Sequence, residues 1–87
     1  MIPARSPETA WRLIEGEAVI LAMDTKVFRG LNAVGSRVWE LIDGRRSVDE
    51  IARLIVEEFQ VAPDDAVRDV SAFVELLLAK GLATAAS

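Results

Sequence analysis

The stretch from Phe28 to Gly44 constrains this chain more than any other. Val27–Leu31 reads as a short strand. Asn32 directly after it suits a helix N-cap, because its side-chain oxygen can accept a first-turn amide. Val34, Val38, Leu41 and Ile42 then recur at helical spacing and share one face. Trp39 adds bulk beside that face. Asp43-Gly44 supplies the stop, since glycine tolerates the left-handed cap. A strand that passes straight into an amphipathic helix orders its surroundings, with strands upstream and helices downstream.

Upstream, Trp11–Ile14 carries an aromatic and two aliphatic residues and leads into the turn signal Glu15-Gly16-Glu17. Ala18–Met23 is the longest apolar run, β-branched at Val19 and Ile20, and reads as a strand buried on one or both faces. Asp24-Thr25-Lys26 is a tight turn without the customary glycine. Gly30, inside the third strand, marks a bulge or the close approach of another backbone. Residues 1–10 contain Pro3, Ser6 and Pro7 with no periodicity and read as a flexible arm. Residues 11–83 form one domain, and 84–87 read as a disordered tail.

Downstream, Ser47-Val48-Asp49-Glu50 is a capping box, with Val48, Ile51, Ile55 and Phe59 lining the helix it opens. Glu57 and Glu58 face outward near that helix's C-terminus, where the macrodipole disfavours acids. Pro63 suits a first helical turn, Asp64 and Asp65 complement its positive end, and Lys80-Gly81 closes the helix. That last helix spans about 17 residues, or ~25 Å. Its apolar arc is wide. Val70, Phe73 and Leu77 can face a core while Val67, Val74 and Leu78 point roughly a third of a turn away. Either both sets are core, or one edge of the arc lines an open apolar groove suited to binding.

Composition removes several function classes. Eighty-seven residues make one domain, and 52% apolar content is enough for a compact core. With no cysteine and no histidine, the chain cannot supply a zinc site, an iron–sulfur cluster, a disulfide or a Cys–His or Ser–His pair. No cofactor is expected. No run approaches membrane length and no secretory signal opens the chain, so a cytoplasmic protein is expected. Residues 47–80 carry three basic and eight acidic side chains. Nucleic-acid readers concentrate the opposite charge on their recognition element, which makes nucleic acid a poor partner.

Taken in order, several segments resemble the PqqD-like family, also called the RiPP recognition element (the leader-binding domain of ribosomally made, modified peptides). They are Gly16-Glu17-Ala18-Val19, Gly30-Leu31-Asn32, Val34-Gly35, Trp39-Glu40-Leu41, Asp43-Gly44, Ser47-Val48-Asp49-Glu50-Ile51, Asp69-Val70 with Phe73, and Gly81-Leu82. Together they span nearly the whole chain. The resemblance implies an α+β fold: a small winged helix-turn-helix-like domain with a three-stranded antiparallel sheet followed by three helices. It also implies a non-catalytic peptide chaperone. The leader of a precursor peptide would add as a strand to the third strand, in a groove against the third helix. It would then be delivered to a radical SAM enzyme, as in pyrroloquinoline quinone (PQQ) biosynthesis, or to a lasso-type leader protease and cyclase.

Carried over by position, the pairing edge would be the backbone of Lys26, Val27, Phe28, Arg29 and Gly30. Val67, Ser71, Val74 and Leu78 would wall the groove, and Arg68 and Arg29 could meet acidic leader side chains. Two positions depart from the family pattern. Arg29 stands where relatives often carry an aromatic or aliphatic residue, and Ala62 replaces the usual cap before Pro63. Trp39 suits the core, and Arg45-Arg46 suits an exposed turn. The competing readings are a winged-helix DNA-binding transcriptional regulator, which the acidic last helix disfavours, and an acidic oligomerisation module. A monomer or weak homodimer is expected.

Overall fold

The computed structural model describes residues 1–86. Their elements run β1 (Pro3–Arg5), β2 (Thr9–Ile14), β3 (Glu17–Ala22), β4 (Val27–Gly30), α1 (Ala33–Leu41), α2 (Val48–Phe59), α3 (Pro63–Ala79) and β5 (Ala83–Ala85). The expected α+β order holds: a three-stranded antiparallel sheet, then three helices. β2, β3 and β4 form a meander in that spatial order. The Glu15-Gly16 turn has φ of 54° and 82°, and both positive values match the two-residue hairpin turn that suits twisted strands.

Register fixes the faces. Trp11 pairs with Ile20, and Ile20 with Arg29. The pleat therefore places Trp11, Leu13, Ala18, Ile20, Val27 and Arg29 on one face, and Arg12, Val19, Leu21, Phe28 and Gly30 on the other. Ala18 and Ile20 are wholly buried, so the first face is the one the helices cover. The core gathers Ile20, Val38, Trp39, Ile42, Ile51, Ile55 and Val74. Trp39 is buried as expected, with the Trp11 ring edge-on at 6.3 Å.

Each helix begins as its sequence dictates. The Asn32 side chain accepts from Gly35 N (2.7 Å), and the Ser47–Glu50 capping box is closed in both directions. Ala62 offers no side-chain cap, and α3 starts instead on Pro63 with Asp64 and Asp65 in its first turn. Glu58, adverse to its own helix dipole, is held by a two-pronged pair from Arg37 of α1 (2.8 and 3.2 Å).

The chain ends differ from expectation. Residues 1–10 are not a flexible arm: Pro3–Arg5 pairs antiparallel with Ala83–Ala85, and Thr9–Ala10 opens β2. The predicted tail is a strand over Ala83–Ala85; Ser87 lies outside the described residues. Gly44 N donates to Pro3 O (3.0 Å), Val48 N to Met1 O (3.1 Å) and Ala86 N to Ile2 O (2.7 Å). Arg5 secures this clasp. Its Nη1 donates to Trp39 O and Glu40 O at 2.9 Å each, satisfying carbonyls near the end of α1, and its guanidinium lies 5.2 Å from the Trp11 ring centroid.

Candidate functional site

β4 is an edge strand, paired on one side only. Leu31 N donates to Ala18 O (2.9 Å). Antiparallel pairs alternate between bonded and unbonded, so with Ala18–Leu31 bonded, Ile20–Arg29 and Ala22–Val27 follow. The N–H and C=O of Phe28 and Gly30 then point away from β3, toward the open edge.

Beside that edge lies a cleft of about 510 Å³. Gly30, Leu31 and Asn32 form one side, Val34, Gly35 and Val38 of α1 the base, and Ala66, Asp69, Val70 and Phe73 of α3 the far wall, with Ile55 and Val61 completing it. Asn32 and Asp69 are the polar residues in an otherwise apolar lining. Gly35 sets the width: a Cβ there would stand 3.5 Å from Phe73 Cζ and 3.1 Å from the capping Asn32 Oδ1. A second cleft of about 490 Å³ continues past the strand end, sharing Gly30, Leu31 and Asn32 and adding Ile14, Glu15, Glu17, Ala18 and Val19.

Lys26, Val27, Phe28, Arg29 and Gly30 all lie exposed along the edge. Phe28 is 70% exposed on the outer face, so it is not a core residue. No atom comes within 4 Å of a Cβ placed on Gly30, whose flank is open. The expected helical wall needs correction. Val74 is fully buried in the core and, like Val67 and Leu78, stands outside both clefts. Ser71 faces a different depression, with Met1, Val48 and Glu75. Arg68 is turned to its neighbours Asp65 (2.9 Å) and Asp69 (3.6 Å).

The face that lines the cleft is Ala66-Asp69-Val70-Phe73, about 100° around the helix from Val67-Ser71-Val74. Both faces of α3 are apolar, so periodicity alone does not fix its phase. Of the residues lining the first cleft, only Gly30 was expected at the site from sequence; Leu31, Val34, Gly35, Asp69 and Phe73 are among those left out. Gly35, a glycine in the first turn of a helix, is the signal that could have found them.

An exposed edge with outward amides beside an apolar cleft is the combination that addition of an extended peptide strand requires. Residues 17–83 match the family described as coenzyme PQQ synthesis protein D, PqqD. The chain belongs to the PqqD family. Two solved structures are similar in fold. One is TbiB1 in complex with the TbiA(β) leader peptide, 32% identical, with a TM-score of 0.84 over 92% of this chain and 93% of that one. The other is a lasso peptide synthetase B1 complexed with the leader peptide, 23% identical, with a TM-score of 0.85 over 97% of this chain and 99% of that one. No curated protein matches the chain.

Proposed function

We propose that this chain binds the leader segment of a ribosomally made precursor peptide. The leader adds as a strand to β4, and its apolar side chains settle into the cleft between β4, α1 and α3. The observation that carries the reading is the set of outward backbone groups at Phe28 and Gly30 directly beside that cleft. Ladder hydrogen bonds, each worth ~0.5–1.5 kcal/mol net, would give affinity for any extended segment. The cleft would select among segments, because one apolar side chain buried there contributes ~1.5–3 kcal/mol. The leader-bound TbiB1, 32% identical over nearly the whole chain, supports this reading. The protein makes and breaks no bond on this account. It is a cytoplasmic monomer or weak homodimer that presents the leader to a second protein, a radical SAM enzyme or a leader protease, which does the chemistry.

The test is to titrate isotopically labelled protein with the leader of the precursor peptide encoded beside it. Amide shifts should move in Val27–Leu31 and at Gly35, Asp69 and Phe73. Phe28→Pro deletes one outward amide without touching the β3–β4 ladder, a place where an edge strand tolerates proline. It should weaken binding about two- to tenfold relative to Phe28→Ala, which keeps the amide. Unchanged spectra at millimolar peptide would overturn the reading. Equal binding by the two variants would overturn strand addition.

A further inference from the structure

Gly30 stands in the edge strand without a reason internal to the fold. Unlike Gly16, Gly44 and Gly81, it does not take the positive φ that favours glycine. The β3–β4 register runs through it without a bulge, with Val19 opposite. A Cβ placed on it would meet nothing within 4 Å, so no neighbour in this chain needs the room. Glycine inside a strand also costs stability, through the freedom it has in the unfolded chain. Neither conformation nor internal packing explains it. What its bare Cα provides is space at the surface, which is where a ligand approaches closely.

That space is part of the second cleft. Val19 and Gly30 belong to the outer face of the sheet, and the same alternation puts Ile14 and Glu17 there. All four line this cleft, whereas the first is lined by α1 and α3 on the covered side. Ala18 and Leu31 add to its apolar lining, and Glu15 and Asn32 to its polar part. The rows of side chains on either side of Gly30 hold Phe28 and Ile14, which are 70% and 50% exposed. An apolar notch over Gly30, with Val19 as its floor, thus lies on the outer face and touches the same edge strand as the first cleft.

We infer that Gly30 opens a second specificity subsite, which takes one large apolar side chain of the leader on the outer face of the sheet. The backbone groups of Gly30 point to the open edge, so the chain that pairs there places one residue directly opposite. That residue projects from the same face as Gly30. With no side chain on Gly30, it can lie across the strand onto Val19. Two strand spacings, roughly 9.5 Å, separate its backbone from that of Val19, a span that suits a long aliphatic or aromatic side chain and not alanine. A large side chain laid across a strand glycine also shields the backbone that glycine leaves bare. The leader is therefore read on both faces, by the first cleft inside and by the Gly30 notch outside. This inference rests on the leader-binding reading and deepens it by naming a second point of selection and the chemistry it takes.

The probe is the leader encoded beside this chain, in its natural form and as a single-alanine scan, titrated against the wild-type protein, Gly30→Ala and Gly30→Leu. Melting temperatures of both variants should hold or rise, because the new side chain enters open space. Against the wild type, truncating the apolar leader residue opposite Gly30 should weaken binding about five- to tenfold. Gly30→Leu fills the notch. It should bind the natural leader about five- to tenfold more weakly and respond less than about twofold to that same truncation. Truncations that empty the first cleft should cost the same in all three proteins. Gly30→Ala should fall between the other two, and it carries the test alone if Gly30→Leu does not fold. Unchanged or tighter binding by the variants would mean the space is unused. Weakening by one common factor across the scan would mean the new side chain disturbs the ladder. Either result would overturn the inference while leader binding stands. If no peptide binds the wild-type protein, the leader-binding reading fails and this inference with it.

Discussion

Ser36 is the residue through which helix and sheet hold each other. It is buried on α1, its Oγ accepts from Ala18 N at 2.7 Å, and it donates back to Leu31 O at 3.3 Å. Ser36→Ala would leave the buried Ala18 amide without a partner, a loss of about 1–3 kcal/mol. In a domain of this size each kcal/mol lowers the melting temperature by roughly 4–8 °C, which thermal unfolding would register; a change under about 1 °C would mean the amide finds another acceptor. Gly35, one residue earlier, works in the opposite sense. Replacing it with alanine gains ~1 kcal/mol of helix propensity and disturbs the Asn32 cap, worth about the same, so stability should change little. The added methyl would nevertheless stand 3.5 Å from Phe73 across the cleft. Leader affinity should fall while the melting temperature holds.

At the level of elements, the helix starts set the acid sensitivity of the fold. Hydrogen bonds from the Ser47 backbone and then its hydroxyl hold the Glu50 carboxyl below the usual glutamate range. Amides of Arg45 and then Arg46, with the Arg46 guanidinium, do the same for Asp43 in the loop before α2. A carboxyl whose pKa is lower folded than unfolded binds more protons in the unfolded chain. Its stabilisation is therefore present above the ordinary carboxylate range, near pH 4, and is lost as pH falls through the folded value. Urea midpoints between about pH 3 and 6 should drop with acidification, and Glu50→Gln should flatten that slope. An unchanged slope in the variant would mean the capping box carries none of it. These caps were legible because their signal is local, a few residues read in order. The strands β1 and β5 were not: three residues each, they pair across almost the entire chain, and neither shows a period long enough to read. The phase of α3 was hidden for a different reason. A helix apolar on two faces is compatible with two rotations, and only the packing that buries Val74 and leaves Phe73 beside the cleft decides between them.

Across the whole molecule, folding and capture are assigned to separate regions. The clasp joins β1, β5 and the loop around Gly44, while the cleft joins the end of β4, the start of α1 and the first half of α3; the two share no lining residue. Family and fold could be read from the sequence because the strand-to-helix junction at Gly30-Leu31-Asn32 belongs to both the architecture and the site. Such separation predicts a double dissociation. Arg5→Ala removes two hydrogen bonds from a charged donor and a cation–π contact, so it should lower stability by about 1.5–3 kcal/mol. Lysine at this position cannot reproduce the planar fork and should restore only part of it. Effects at sites with no common partner add, so Arg5→Ala should leave leader affinity within about twofold wherever the protein remains folded. Gly35→Ala should do the reverse, and the double variant should show the sum of both. Paired measurements of melting temperature and leader affinity on the three variants decide the matter. Weaker binding in Arg5→Ala at full folding would mean that the clasp reaches the cleft through α1, whose two ends Arg5 and Asn32 cap.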